Sequence, residues 1–267
     1  MAKRTQAAKR SQPSHKGSKK SQPDRRGRLD LANPERRLTE RAAIPLTGML
    51  ALMAAEMAGA LDRRMAFRLG IILAGMMLAS GRRTASSWFS AAGVRDDWDC
   101  FYDCLGSVGR CVRKLAAVVL GCVLKTVFKM TGTGPQRVVL GIDDTPTARY
   151  GRHVEGAGVH HDPTHGAAGS EFLYGHNWVS LALLAAHPLC GVIALPLMSI
   201  LYVRLIDVPK LADKYRLLFR TKHQLAVELV EWFLHAIESL ELTLQVWVVV
   251  DGAYAARPFL FPCANAA

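Results

Sequence analysis

The chain has 267 residues, of which 50% are hydrophobic, and a formal net charge of +12 at pH 7. This length and apolar content allow one large core or two modest ones. The six cysteines form no CxxC pair and no secretory signal precedes them, which argues against a disulfide-linked secreted protein and for cytosolic thiols. The longest apolar run, residues 181–201, contains Pro188 and Pro196, so no membrane span is expected.

Most of the positive charge lies at the N-terminus. Residues 1–28 hold ten Lys and Arg and a single acid, Asp24, a net charge of +9 (10 − 1). Because this stretch has no apolar face to pack, residues 1–37 are predicted to form a basic, disordered arm. Such an arm suits the DNA backbone, with a solubilising tail as the alternative. The expected DNA-binding side chains here are Lys3, Arg4, Lys9, Arg10, Lys19, Lys20, Arg25 and Arg26.

Residues 38–130 are predicted to be helical. Methionines and a leucine recur every four positions from residue 49 to residue 61, and a second helix is predicted over residues 65–80. The turn that follows carries Arg82 and Arg83 and leads into a short helix. Short helices with a basic entry are typical of a helix-turn-helix DNA-binding region, although any small helical bundle shows the same pattern.

From residue 136 onward the pattern is that of a mixed α/β domain. The predicted elements are strands at 138–142, 178–186 and 192–203, a helix that starts near Pro209 and breaks near Thr221, and a buried strand at 245–250. Asp207 is expected to cap the helix and Pro209 to lie in its first turn. Three strands, a helix and a strand form the first half of an RNase H-like fold, although order alone admits other α/β folds.

Aspartates follow the first and the last predicted strands, in the segments GIDDT and VVVDG. A carboxylate next to buried valines is costly unless compensated, and Mg²⁺ favours such oxygen ligands. In the RNase H topology these strands are parallel neighbours, so Asp143 and Asp251 would converge. Two convergent aspartates can hold two ions about 3.5–4 Å apart, which bracket the attacking and leaving oxygens of a phosphodiester. Taken singly, each aspartate is better explained as a turn or helix cap; the pair together favours a metal site.

Histidines crowd the stretch between the first two predicted strands. A zinc hydrolase would use such residues, but the chain has no HExxH spacing and the glycines and prolines here predict a loop or hairpin. We interpret this segment as a substrate-side loop, in which imidazoles and Arg149 or Arg152 could meet phosphate. The histidines are His153, His160, His161, His165 and His176.

Three segments together resemble a known signature. GIDDTPTARYGRHVEGAGVHHDPT, FLYGHNWVSLALLAAHPLCGVIALPLMSILYVR and VVVDGAYA resemble the catalytic domain of bacterial insertion-sequence transposases of the DDE, RNase H-like superfamily. The segment GRRTASSWFSAAGVRDDWDCFYDCLG resembles the helical stretch upstream of it. The resemblance spans roughly residues 40–260 and implies cut-and-paste DNA transposition with two Mg²⁺ ions, for which Mn²⁺ can substitute. It assigns catalysis and metal binding to Asp143 and Asp251, with Asp144 as the alternative to Asp143 because adjacent strand residues face opposite ways.

The sequence departs from this family at its third carboxylate. That residue is a glutamate on a helix downstream of the second aspartate, whereas the 16 residues (267 − 251) after Asp251 include no acid. Residues 136–267 are therefore expected to be the first part of a truncated or frameshifted catalytic domain, or a piece whose reading frame continues elsewhere. Two functions stay open, an incomplete transposase and an inactive DNA-binding remnant that inhibits an intact copy. The expected partners are insertion-sequence ends, target DNA and further transposase chains, at the nucleoid in the bacterial cytoplasm.

Overall fold

A computed structural model describes residues 48–126, 128, 136–151, 153–162, 169–187, 189–215 and 217–266 of the chain. The predicted arm over residues 1–37 and Arg152 lie outside the described residues. Within them the chain has eight α-helices and one five-stranded sheet, and five of the helices precede the first strand, as the sequence predicts. None of the described helices is both long enough and apolar enough to cross a membrane.

The helical region predicted over residues 38–130 is confirmed where it is described. Its five helices are α1 (Met49–Gly59), α2 (Arg63–Leu78), α3 (Ala85–Ala91), α4 (Trp98–Arg110) and α5 (Val112–Thr126). Polar side chains fix two of the starts, because Asp62 accepts hydrogen bonds from the first turn of α2 and Thr84 from that of α3. A small core joins α2, α3 and α4, formed by Ile72, Phe89, Val94, Phe101 and Cys104.

The sheet contains β1 (Gln136–Ala148), β2 (Gly158–His161), β3 (Phe172–His187), β4 (Gly191–Tyr202) and β5 (Leu244–Val250). β3 is the strand with the most partners. It pairs antiparallel with β1 along one edge and, along its other edge, with β2 and then with β4. β1 in turn pairs with β5, and this pairing is parallel. The parallel arrangement of the first and last strands agrees with the RNase H-like topology that the element order predicts.

One face of the sheet carries the main hydrophobic core. After β4 the chain forms a 3-10 turn (Leu205–Asp207) and the helices α6 (Pro209–Tyr215) and α7 (Lys222–Ser239), and α8 (Arg257–Ala266) follows β5. The predicted break near Thr221 is confirmed, because Thr221 caps α7. Burying each large apolar side chain contributes about 1.5–3 kcal/mol, so the core holds α7 against the sheet. The side chains of α7 in this core include Leu225, Leu229, Phe233 and Ile237.

Four details differ from the sequence predictions. β5 is only half buried, with Val249 53% exposed, because one of its faces has no described element packed against it. β1 continues to Ala148, six residues past its predicted end at Ile142, and α8 forms where no helix was predicted, with Phe259 of α8 buried. The predicted loop or hairpin is confirmed as a hairpin, because β2 pairs antiparallel with β3. Asp207 does not act as the expected helix cap, because its carboxylate pairs with Arg204 and Lys210.

Candidate active site

The register of β1 and β5 brings two aspartates together. The parallel pairing runs up to Ile142 opposite Val250, and the next residue on each strand is Asp143 or Asp251. Neighbouring strands lie about 4.8 Å apart, so the two backbones meet here at roughly that spacing. Residues 108 positions apart in sequence (251 − 143) therefore occupy adjacent positions at the end of β5.

Both of these aspartates are exposed and each keeps a carboxylate oxygen available. Asp143 Oδ1 accepts a hydrogen bond of 2.7 Å from the backbone N–H of Asp144. Asp251 Oδ1 accepts from the N–H groups of Ala253 (3.1 Å) and Tyr254 (3.2 Å), so Asp251 also shapes the turn after β5. Among the contacts of the described residues, neither second oxygen has a protein donor.

Asp144 has a different environment from its neighbour. Val138, Leu140 and Ile142 point into the core beneath α7, and strand alternation places Asp144 on the same face. Its Oδ2 accepts from Lys222 Nζ (2.5 Å) and Asn177 Nδ2 (3.0 Å). Its Oδ1 lies 3.4 Å from the hydroxyl of Tyr254, which donates to it. Both carboxylate oxygens of Asp144 therefore already accept hydrogen bonds.

The electrostatics follow from these contacts. Burial alone would raise the pKa of the Asp144 carboxyl, but the hydrogen bonds from Lys222, Asn177 and Tyr254 and the Lys222 charge lower it below its ordinary value. Burial, then the charge and hydrogen bond of Asp144, and then the charges of Asp143 and Asp251 raise the pKa of the Tyr254 phenol far above its ordinary value. Tyr254 therefore stays neutral and lies within the field of all three aspartates.

The donor chemistry at this edge fits a divalent cation. Asp143 and Asp251 offer exposed carboxylate oxygens, which Mg²⁺ and Mn²⁺ prefer, at adjacent strand positions. The described side chains include no group of three or more His, Cys, Asp or Glu residues arranged to hold a metal ion. The residues present therefore fit a two-carboxylate site.

The other predicted site residues lie elsewhere. Arg82 and Arg83 are exposed in the turn before α3. Arg149 is six residues beyond Asp143, about 20 Å along an extended chain, where it donates to His176 Nδ1 (3.1 Å) and lines a shallow depression with Tyr150.

The predicted histidine loop is only partly a loop. His160 on β2 is buried, and burial, followed by the charges of Arg204 and Lys222, lowers its pKa so that the ring is neutral near pH 7. His176 lies on β3 and contacts the Glu155 carbonyl through Nε2 at 2.8 Å. His153 and His161 are exposed, and His165 lies outside the described residues.

Three residues that contact Asp144 were not predicted from the sequence to belong to the site. Lys222 begins α7, Asn177 lies on β3 and Tyr254 follows β5, so only the packing of three separate elements joins them. The helix break at Thr221 was the one local signal, because it marks Lys222 as the start of a helix that packs on the sheet.

Comparison with known families agrees with this geometry. A family model described as DDE superfamily endonuclease matches residues 56–262, which is most of the chain and includes every strand. No match was found among curated proteins or solved structures.

Proposed function

The chain belongs to the DDE superfamily of endonucleases, and on this premise we propose that it is a transposase that cleaves and joins DNA. The observation that carries this proposal is the register that puts Asp143 and Asp251 side by side at the end of β5. DNA is then the substrate, and a chain of this kind acts where the chromosome lies, in the bacterial cytoplasm.

In the proposed reaction the protein's part is to fix charge and position. Asp143 and Asp251 would each direct a free carboxylate oxygen toward Mg²⁺ or Mn²⁺. Such ions, when bound, polarise the phosphodiester and activate the attacking oxygen. The backbone pairing of β1 with β5 holds the two carboxylates at a constant spacing, so their placement needs no reorganisation during the reaction.

Asp143 rather than Asp144 is the proposed metal ligand from β1. Asp144 already accepts from Lys222, Asn177 and Tyr254, and moving it to a metal would leave the Lys222 ammonium without its partner. Asp143 is exposed and has a free oxygen.

DNA contacts are proposed for three basic regions of the chain. Arg82 and Arg83 are exposed at the entry to α3, in the helical region that we propose binds DNA. The basic residues of the arm 1–37 would add sequence-independent affinity through counterion release. Arg149 and Arg152 would meet the backbone further along the substrate. These regions correspond to a division into an arm, a helical DNA-binding region over 38–130 and a catalytic domain over 136–267.

A third carboxylate decides how active these 267 residues are. Residues 252–267 hold no Asp or Glu, so a third acidic ligand would come from an upstream acid or from residues outside this sequence. A second candidate function rests on the site itself, since the described residues bring two carboxylates together and include no group of three metal-ligating side chains: a DNA-binding protein that does not cleave by itself and inhibits an intact transposase. Misplacing a reacting group by about 1 Å costs on the order of 10²-fold in rate, so we expect slow cleavage.

Nicking of supercoiled plasmid by residues 1–267 in Mn²⁺ distinguishes the two candidates, because a single cut per circle is detected. We expect slow nicking that Asp251→Ala abolishes and that Glu238→Ala, a change of an exposed acid at the far end of α7 from Lys222, leaves unaltered. DNA binding without any Asp251-dependent nicking would leave only the inhibitor function. Rapid nicking that depends on Asp251 would show that no further acid is needed.

A further inference from the structure

We propose that Lys222 contacts a phosphate of the bound DNA beside the carboxylates, and that Asp144 is the positioning residue that holds its ammonium there. This inference rests on the proposed function and names a substrate-binding group for the same site. It gives the pair Asp144 and Lys222 a role separate from metal binding.

The start of α7 determines where Lys222 lies. Thr221 caps the helix by accepting from the backbone N–H of Gln224 (3.2 Å), and the Gln224 side chain accepts from the N–H of Thr221 (2.8 Å). This reciprocal capping box leaves little freedom in the first turn. Lys222 is the first helical residue, and its Nζ lies 2.5 Å from Asp144 Oδ2 and 5.7 Å from the centre of the Tyr202 ring.

The Lys222 ammonium is held by Asp144 but keeps N–H donors for a further contact. An ammonium has three N–H donors, and the contact with Asp144 accounts for one of them. The Lys222 side chain is 34% exposed, compared with 21% for that of Asp144, so the lysine reaches the solvent side of the pair. α7 has 18 residues, and the partial positive charge at its N-terminus adds to the attraction for an anion here.

The edge of β1 near this ammonium has no described strand paired with it. β5 ends at Val250, whereas β1 continues to Ala148, so the edge of β1 from Asp143 onward has no paired strand on the β5 side. A phosphate placed at this open edge can approach the exposed Asp143 from one face and Lys222 from the other. Asp143 and Lys222, on opposite faces of the sheet, would thereby both act on one substrate.

Charge also favours a cation at this position. Asp143 and Asp144 are consecutive on β1, and the strand register places Asp251 beside Asp143, so three carboxylates lie close to the place that a phosphate would occupy. Of the described groups that contact Asp144, Lys222 is the one that carries positive charge.

The salt dependence of DNA binding tests this inference. Binding of residues 1–267 to a fluorescein-labelled duplex is followed by anisotropy across a series of salt concentrations, with and without Mg²⁺. Lys222→Met is expected to weaken binding and to reduce the slope of log K against log salt by about 1, since one phosphate contact is lost. Lys222→Arg should keep most of the slope. Arg137→Met is the control, because Arg137 is exposed at the start of β1, six residues and about 20 Å of strand away from Asp143.

The double variant Lys222→Met, Asp144→Asn separates phosphate contact from simple neutralisation of Asp144. It removes both charges, so it also replaces the single variant if an unpaired Asp144 prevents folding. The proposal expects the double variant to keep the reduced slope. Recovery of the wild-type slope would show that Lys222 serves only as the counterion of Asp144, and an unchanged slope in Lys222→Met would overturn the contact outright. Failure of the wild-type chain to bind DNA would instead contradict the proposed function.

Discussion

Replacing Asp207 by asparagine separates two accounts of the turn after β4. Asp207 is 4% exposed, its Oδ2 lies 2.7 Å from Arg204 Nε, and its Oδ1 lies 2.6 Å from Lys210 Nζ. Arg204 also donates to the Val159 carbonyl at 3.0 Å, which ties this turn to β2. If Asp207 were only a helix cap, asparagine would serve equally well and Asp207→Asn would cost almost nothing.

The ion pairs predict a larger loss for Asp207→Asn. Hydrogen bonds to charged groups contribute about 1.5–3 kcal/mol each. Lys210 is 71% exposed, so solvent screens its contribution strongly, and Arg204, at 32%, supplies most of the effect. We expect Asp207→Asn to lower the free energy of unfolding by about 2 kcal/mol at pH 7, which lowers Tm by about 4–8 °C.

The pH dependence gives the sign of the effect. Burial alone would raise the pKa of the Asp207 carboxyl, but the hydrogen bonds and charges of Lys210 and Arg204 lower it below its ordinary value. A depressed pKa stabilises the fold above the unfolded-state pKa of about 3.9, and this contribution disappears as pH falls through the folded-state pKa. Urea unfolding should therefore show a constant difference between wild type and Asp207→Asn from pH 7 to pH 5 that shrinks below pH 4. No difference at pH 7, or one that does not change with pH, would refute the ion-pair account.

Three further predictions test other parts of the structure. Gly75→Ala should destabilise the fold by about 1–3 kcal/mol or more, because the new Cβ would lie 2.0 Å from the Trp88 carbonyl oxygen. Gly70→Ala in the same helix meets nothing within 4 Å and should stabilise the fold by about 0.5–1 kcal/mol. Urea unfolding of both variants checks this, and equal effects would contradict the close approach of α2 and α3. Tyr254→Phe should change the free energy of unfolding by less than about 1 kcal/mol, since it removes only a 3.4 Å hydrogen bond. Tyr254→Ala should lower it by about 3–5 kcal/mol. A large loss in the phenylalanine variant would show that the hydroxyl contributes more to stability than its geometry indicates. Deleting residues 1–28 should weaken binding to any duplex and flatten its salt dependence, and an unchanged slope would exclude the arm as a DNA contact.

The sequence predicted the two strands that carry the aspartates of the candidate site because their signal is local. A run of β-branched residues, as in GIDDT and VVVDG, indicates a strand without knowledge of the fold. The end of β5 before Asp251 is confirmed, whereas the predicted end of the first strand at Ile142 is wrong, because β1 continues through Asp143 to Ala148. The parallel pairing of β1 with β5 then followed from element order, and the register at Ile142 and Val250 confirms it. The choice between Asp143 and Asp144 stayed open, since alternation shows that they face opposite ways but not which face α7 covers.

The surroundings of Asp144 could not be predicted, because they depend on packing between elements far apart in sequence. Lys222 is 78 residues from Asp144, and Tyr254 is 110 residues away. Asp207 was misjudged for a related reason. Its position before Pro209 is typical of a helix cap, but the Arg204 side chain, three residues earlier, captures its carboxylate.

Calorimetric titration of Mn²⁺ into residues 1–267 tests the central claim, that Asp143 and Asp251 together hold a divalent cation. We predict that Asp143→Asn and Asp251→Asn each weaken Mn²⁺ binding by at least about 10-fold. Asp103→Asn, a matched change of an exposed aspartate on α4, should leave the affinity unaltered, and Asp144→Asn should leave it nearly so. Mn²⁺ binding that survives both site substitutions, or that depends on Asp144 instead of Asp143, would contradict the assignment of the site.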